Sequence, residues 1–215
     1  MTLPRLMVLT DRRVAADAGH DVVDVVADAV GAGAPAVVLR EKDLPRAERH
    51  RLAMRLRGIT ADAGAALVVA GDVVLAREVG ADGVHLAAAD HWPEGPTTGL
   101  WVGRSCHTIG ELTAAAQRAI ADYVTFSPVF ATTSKPGYGP ALGIDGLAAG
   151  CEEVAHTRSG VAVYALGGIG PGLAGACRAA GADGVAVMGA VMRADDPGAV
   201  VRSLVDELVA AGADA

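Results

Sequence analysis

Aromatic residues are scarce: 2 Phe, 2 Trp and 3 Tyr make up 3% of the 215 residues. Basic residues are also outnumbered, with 18 Lys+Arg against 25 Asp+Glu and a net charge of −7. A chain so poor in stacking surface and positive charge lacks the footprint of a nucleic-acid binder. Cysteine occurs three times, at Cys106, Cys151 and Cys177, with no C-x-x-C spacing. An odd, scattered set excludes a disulfide scaffold and a cysteine zinc site, and suits a reducing cytoplasm. A secretory leader is not expected either, because the opening MTLPRLMVLTDRR is short and soon broken by charge. One stretch, between Arg158 and Arg178, carries no charge at all, and it approaches the ~20 residues of a membrane-spanning helix. Gly167, Gly168, Gly170, Pro171 and Gly172 interrupt it, so it is expected to form strand, glycine turn and helix, with no membrane span.

Hydrophobic residues, in contrast, make up 52% of the chain. That content excludes disorder, and at this length about 70% of the unfolded surface can be buried. Short apolar runs recur at 5–10, 35–40, 66–70, 83–86, 101–104, 122–127, 161–165 and 184–188. They are continuous rather than alternating, as expected of parallel strands covered on both faces. Between them lie amphipathic stretches. In 20–33, Val22, Val25, Val26, Ala29 and Val30 share one stripe, and in 197–210 apolar pairs recur every four residues behind Pro197. Gly80-Ala81-Asp82-Gly83-Val84 returns as Gly181-Ala182-Asp183-Gly184-Val185, with Ala121-Asp122-Tyr123-Val124 a near copy. Each copy falls where a helix ends on glycine and a strand begins. Eight strand–helix units in ~200 residues predict a single-domain α/β protein spanning 1–215, a (β/α)8 TIM barrel. An open doubly wound sheet is the rival arrangement.

In a barrel, chemistry gathers in the loops that follow the strands. Strand 2 is followed by Arg40-Glu41-Lys42, strand 3 by Ala70-Gly71-Asp72, and strand 4 leads to Asp90. Strand 5 runs into Arg104-Ser105-Cys106-His107, and strands 7 and 8 end in Gly167-Gly168 and Met188-Gly189. Glycine turns at those last two positions allow backbone N–H groups to approach a phosphate, although Gly-Gly also serves a plain tight turn. The longest loop, 127–143, offers Thr132, Thr133, Ser134 and Lys135, hydroxyls and one cation fitted to a second anionic group or to solvent. His107 is the candidate acid/base residue, since histidine titrates near neutrality. His85 lies inside a strand and is taken as structural.

These segments, in this order, resemble the thiamin phosphate synthase superfamily, which includes the synthase and the TenI-type thiazole tautomerases. The resemblance rests on VLTD (8–11), LREK (39–42), ADGVHL (81–86), GRSCHT (103–108), the run 122–143, ALGGI (165–169) and ADGVAVMGAV (182–191). It implies a thiamin-biosynthesis enzyme on a (β/α)8 barrel that binds a small phosphorylated hydroxyethylthiazole through Gly167, Gly168, Met188 and Gly189. A homodimer is left open. Synthases join that thiazole to a pyrimidine pyrophosphate with Mg2+, reading the pyrimidine with a strand 2 glutamine and a strand 3 asparagine. Those positions are Val38 and Ala70 here, and one metal aspartate position is Gly71, while Arg40, Lys42, Lys135 and the other metal aspartate, Asp90, match. The tautomerase, which needs no cofactor, is therefore placed first. In it His107 carries the proton, Ser105 and Arg40 steady a carboxylate, and Thr132, Thr133 and Lys135 border the substrate. The synthase with Mg2+ on Asp90 is the alternative, and a phosphate-binding regulatory protein without turnover is the third.

Overall fold

The structure is a computed structural model that describes residues 2–132 and 140–211. Eight parallel strands close in sequence order into one barrel, each hydrogen-bonded to the next and the last to the first. They are β1 (Leu6–Leu9), β2 (Ala36–Leu39), β3 (Ala66–Ala70), β4 (Gly83–Leu86), β5 (Trp101–Cys106), β6 (Tyr123–Phe126), β7 (Ala162–Leu166) and β8 (Gly184–Val187). The closed order excludes the open sheet. Helices α1 (Arg12–Asp17) and α2 (Val22–Gly31) follow β1, α3 (Arg46–Asp62) follows β2 and α4 (Val73–Glu78) follows β3. Next come α5 (Ile109–Ala116), α6 (Gly143–Thr157) and α7 (Ala174–Ala179), with α8 (Gly189–Met192) and α9 (Pro197–Ala210) after β8. No helix separates β4 from β5; Pro93, Gly95, Pro96 and Gly99 fall in that segment and oppose helical backbone. Arg104 holds it instead, donating to Ala88 O while its guanidinium lies 4.5 Å over the Trp92 ring. Among the described residues no helix is long and apolar enough to cross a membrane.

Burial on both faces explains the continuous apolar runs. One side of the strands packs with the helices around Val8, Val37, Leu39, Leu67 and Val69. The other side fills the barrel interior with Met7, Leu9, Val38, Val68, Tyr123 and Tyr164. Interior volume is limited, and Gly103 makes room for it: a Cβ there would overlap the Tyr123 ring.

The repeated Ala-Asp segment has a mechanical role. Asp82, Asp122 and Asp183 each precede a strand, and their carboxylates accept the N–H of Leu67, Val102 and Val163 on the strand before, at 2.7–2.8 Å. Three aspartates thereby clamp pairs of strands at the end opposite the mouth. At the mouth, Asp11, Asp72, Thr108 and Asp196 cap α1, α4, α5 and α9 by accepting their first free N–H groups.

Candidate active site

The C-terminal ends of the strands surround a cavity of about 520 Å3, a volume within the range of small-molecule sites. Alternation along β2 and its extension decides which side chains reach it. Arg40 and Lys42 line it, whereas Glu41 turns away, is 3% exposed, and accepts the backbone and guanidinium N–H groups of Arg12. Arg40 is held by Asp11 at 3.2 Å, and the Lys42 ammonium donates to Asp90 Oδ2 at 3.0 Å. Burial pushes the Asp90 carboxyl up, but the Ala87 N–H and Lys42 outweigh it and hold the group below the usual carboxylate range.

The opposite arc is built of glycine. Gly167 and Gly168 have φ of +101° and +68°, and β-carbons at these positions would lie 2.8 Å from Pro128 Cα and 2.7 Å from Ala131 O. The pair therefore does two things at once. It lines the cavity with bare backbone, and it lets the start of the long loop cross at contact distance. Val129 and Phe130 fasten that crossing by donating to Leu166 O and Gly167 O at 2.9 and 3.0 Å. Met188 and Gly189 complete the arc, with Arg193 stacked over Gly189 so closely that any β-carbon would overlap its guanidinium. Gly189, Ala190 and Arg193 all border the cavity.

Between the arcs, Ser105 and Thr132 also line the cavity. Thr133 and Lys135 lie outside the described residues. His107 is not in the lining. Its Nδ1 donates to Ser127 O at 2.8 Å, with Ser127 Oγ at 3.2 Å, and its N–H donates to Glu111. That places it beside the end of β6, bracing Ser127. The histidine at the cavity is His85. Its Nε2 is 2.9 Å from Ser105 Oγ and its Nδ1 is 3.1 Å from the Tyr123 hydroxyl. Burial pushes the Tyr123 hydroxyl far above its ordinary value, so it stays protonated as the inner end of this chain.

Sequence reasoning missed His85 and Arg193. Parity carried the signal for the first: Val84 and Leu86 pack in a cluster with Val73 and Trp92, so His85 between them faces inward near the strand's end. For Arg193 the signal was its spacing four residues after Gly189, one turn along the helix that follows β8. Among the described residues the lining includes three cations, Arg40, Lys42 and Arg193, and no carboxylate. In a chain of net charge −7 this is a local reversal of sign that favours anionic ligands.

The model of the thiamine monophosphate synthase family matches residues 6–191. The chain belongs to that family. A putative thiamine-phosphate synthase of Geobacter sulfurreducens is 40% identical, covering 93% of this chain and 92% of that one. The thiamine-phosphate synthase of Methanoculleus marisnigri is 38% identical over 97% of both. Among solved structures, a thiamine phosphate pyrophosphorylase from Pyrococcus furiosus aligns with a TM-score of 0.81 and 30% identity over 96% of each chain. A 3-hexulose-6-phosphate synthase at 21% identity and TM-score 0.65 shares the fold.

The Mg2+ expected of a synthase finds a poor set of ligands here. Asp90 Oδ2 already accepts from Lys42 and, at 2.7 Å, from the Ala87 N–H. Asp72 caps α4 with one oxygen and pairs with Arg46 through the other. Residue 71 is glycine, and among the described residues no cluster of three His, Cys, Asp or Glu could hold a metal ion. One carboxylate, already paired with an ammonium, is a weak set for a divalent cation that prefers an octahedron of oxygens.

Proposed function

We propose that this chain is a transferase of the thiamine-phosphate synthase type. The observation that carries the reading is that cations and bare glycine backbone line one cavity in two groups, Gly167, Gly168, Gly189 and Arg193 in one and Arg40 with Lys42 in the other. A reaction between a phosphorylated thiazole and a pyrimidine bearing a diphosphate needs both. The glycine arc holds the monophosphate, while Arg40 and Lys42 hold the diphosphate, whose charge grows as it departs. The thiazole nitrogen then forms the new C–N bond as the methylene C–O bond breaks, and the electron pair leaves with diphosphate. The names of the relatives support this reading over the tautomerase placed first on sequence grounds. The deciding experiment incubates purified protein with hydroxyethylthiazole phosphate and the pyrimidine diphosphate, with Mg2+ and with EDTA. Formation of thiamin phosphate and diphosphate is expected; absence of product in both conditions refutes the transferase.

A second reading, the thiazole tautomerase, is favoured by the wall at β1–β3. Leu9 and Ala70 line the cavity and Val38 is buried behind it, so no amide is presented where synthases read the pyrimidine. In that reading the acid/base residue is His85, relaying through Ser105, and not His107. Solvent deuterium entering a thiazole carboxylate phosphate in EDTA, lost in His85→Asn and kept in His107→Asn, would establish it. No exchange would exclude it.

A further inference from the structure

We infer that the Lys42 ammonium takes the place of a divalent cation, so that this site binds diphosphate without metal. The inference rests on the transferase reading above and concerns only how the diphosphate is held. Its basis is Gly71. This residue follows β3 directly with φ of +71°, donates its N–H to His85 O at 2.8 Å, and presents bare backbone to Lys42. A Cβ there would stand 2.8 Å from both Cε and Nζ of Lys42 and 3.4 Å from Asp90 Oδ2. Any side chain at position 71 would force Lys42 Cε and Nζ to shift from where they lie. Glycine is what allows Lys42 to lie across the end of β3 and rest on Asp90.

Charge sets the two occupants against each other. A Mg2+ ligated by Asp90 at about 2.1 Å would stand within roughly 5 Å of an ammonium 3.0 Å from the same carboxylate. That is like-charge repulsion at close range. The ammonium and the Ala87 N–H together hold Asp90, and the ammonium keeps two of its three donors for a ligand in the cavity. Arg40 adds a planar fork suited to phosphate oxygens, with Nη1 alone engaged by Asp11. Together they supply two fixed positive charges on anchors that already exist before a ligand arrives.

The test is calorimetric titration of the full-length protein with inorganic diphosphate, in EDTA and in Mg2+, corrected for the Mg2+–diphosphate complex. Affinity in EDTA should equal or exceed that in Mg2+. Lys42→Met, at a side chain 41% exposed, should leave the melting temperature alone and weaken metal-free binding about ten-fold or more, the usual effect of losing a charged hydrogen bond. Gly71→Asp should weaken binding in EDTA and make it respond to Mg2+, since aspartate tolerates positive φ better than most residues. Diphosphate binding that requires Mg2+ in the wild type, a Lys42→Met variant with unchanged metal-free affinity, or no binding in either condition overturns the inference. Turnover separates it from the parent reading. Thiamin phosphate formed only with Mg2+ sinks the metal-free site and upholds the transferase. Metal-free diphosphate binding without any product does the reverse.

Discussion

Replacing Gly168 with alanine asks whether the glycine arc is shaped by packing as well as by ligand access. Two costs arise. Alanine at φ of +68° carries a left-handed backbone penalty of about 1–2 kcal/mol. Its Cβ would also stand 2.7 Å from Ala131 O and from Phe130 Cβ, well inside contact distance. The obstructing chain cannot swing away freely. Val129 and Phe130 are tied to β7 and Gly167, and Leu142 and Gly143 donate to Pro128 O and Val129 O at 2.9 Å. Overpacking against such a fixed neighbour costs a further ~1–3 kcal/mol. Gly172→Ala is the matched control: φ is +87° there, but nothing lies within 4 Å of a Cβ. The difference between the two variants isolates the clash. At ~2–4 °C per kcal/mol for a domain of this size, Gly168→Ala should melt about 2–12 °C below Gly172→Ala. It should also weaken binding of a phosphorylated thiazole, because the crossing loop and the arc move together. Equal melting temperatures in the two variants would refute the claim that the loop is packed on Gly168.

Three further outcomes are expected. Arg193→Ala should raise KM for the phosphorylated thiazole about ten-fold or more, as when one charged hydrogen bond is lost, with unchanged melting; an unaltered KM removes Arg193 from the phosphate arc. Burial holds the Cys106 and Cys151 thiols up at about 12 and Cys177 at about 11, so the native protein should resist a thiolate-directed reagent at pH 8 and react at three sites in urea. Labelling of the native protein at the denatured rate would contradict that burial. Hydrogen bonds from Arg12 hold Asp43 down to about 2 against an ordinary 3.8. Because the folded value is the lower one, this ion pair's contribution is complete above pH ~4 and fades as pH falls toward 2. Its size is under about 1 kcal/mol for so exposed a pair. Acid melting curves of wild type and Asp43→Asn should therefore converge near pH 2; curves parallel down to that pH would deny the coupling.

Particular residues show where sequence reasoning succeeded and where it stopped. The glycine turns after β7 and β8 were legible from composition and order alone as part of the rim, and they do line the cavity. Arg40 and Lys42 were legible from their place after β2. The sequence assigned the acid/base role to His107 and a structural one to His85, and the cavity lining reverses their placement. Only packing shows that His107 braces Ser127 while His85 meets the cavity. The three Ala-Asp segments were visible as a repeat, yet their purpose was not: a carboxylate that caps the N–H of the preceding strand is a contact across 15 or 20 residues. Gly71 is the sharpest case. In the sequence it marks a missing carboxylate, and in the structure it marks the space into which Lys42 extends.

The sequence by itself determined the barrel and many of the residues at its rim, because strand runs and turn glycines act through neighbours close along the chain. The tertiary structure alone decided which histidine faces the cavity and which cation rests on Asp90. Those outcomes depend on contacts between residues as many as 48 positions apart, and local pattern carries no record of distances across the mouth.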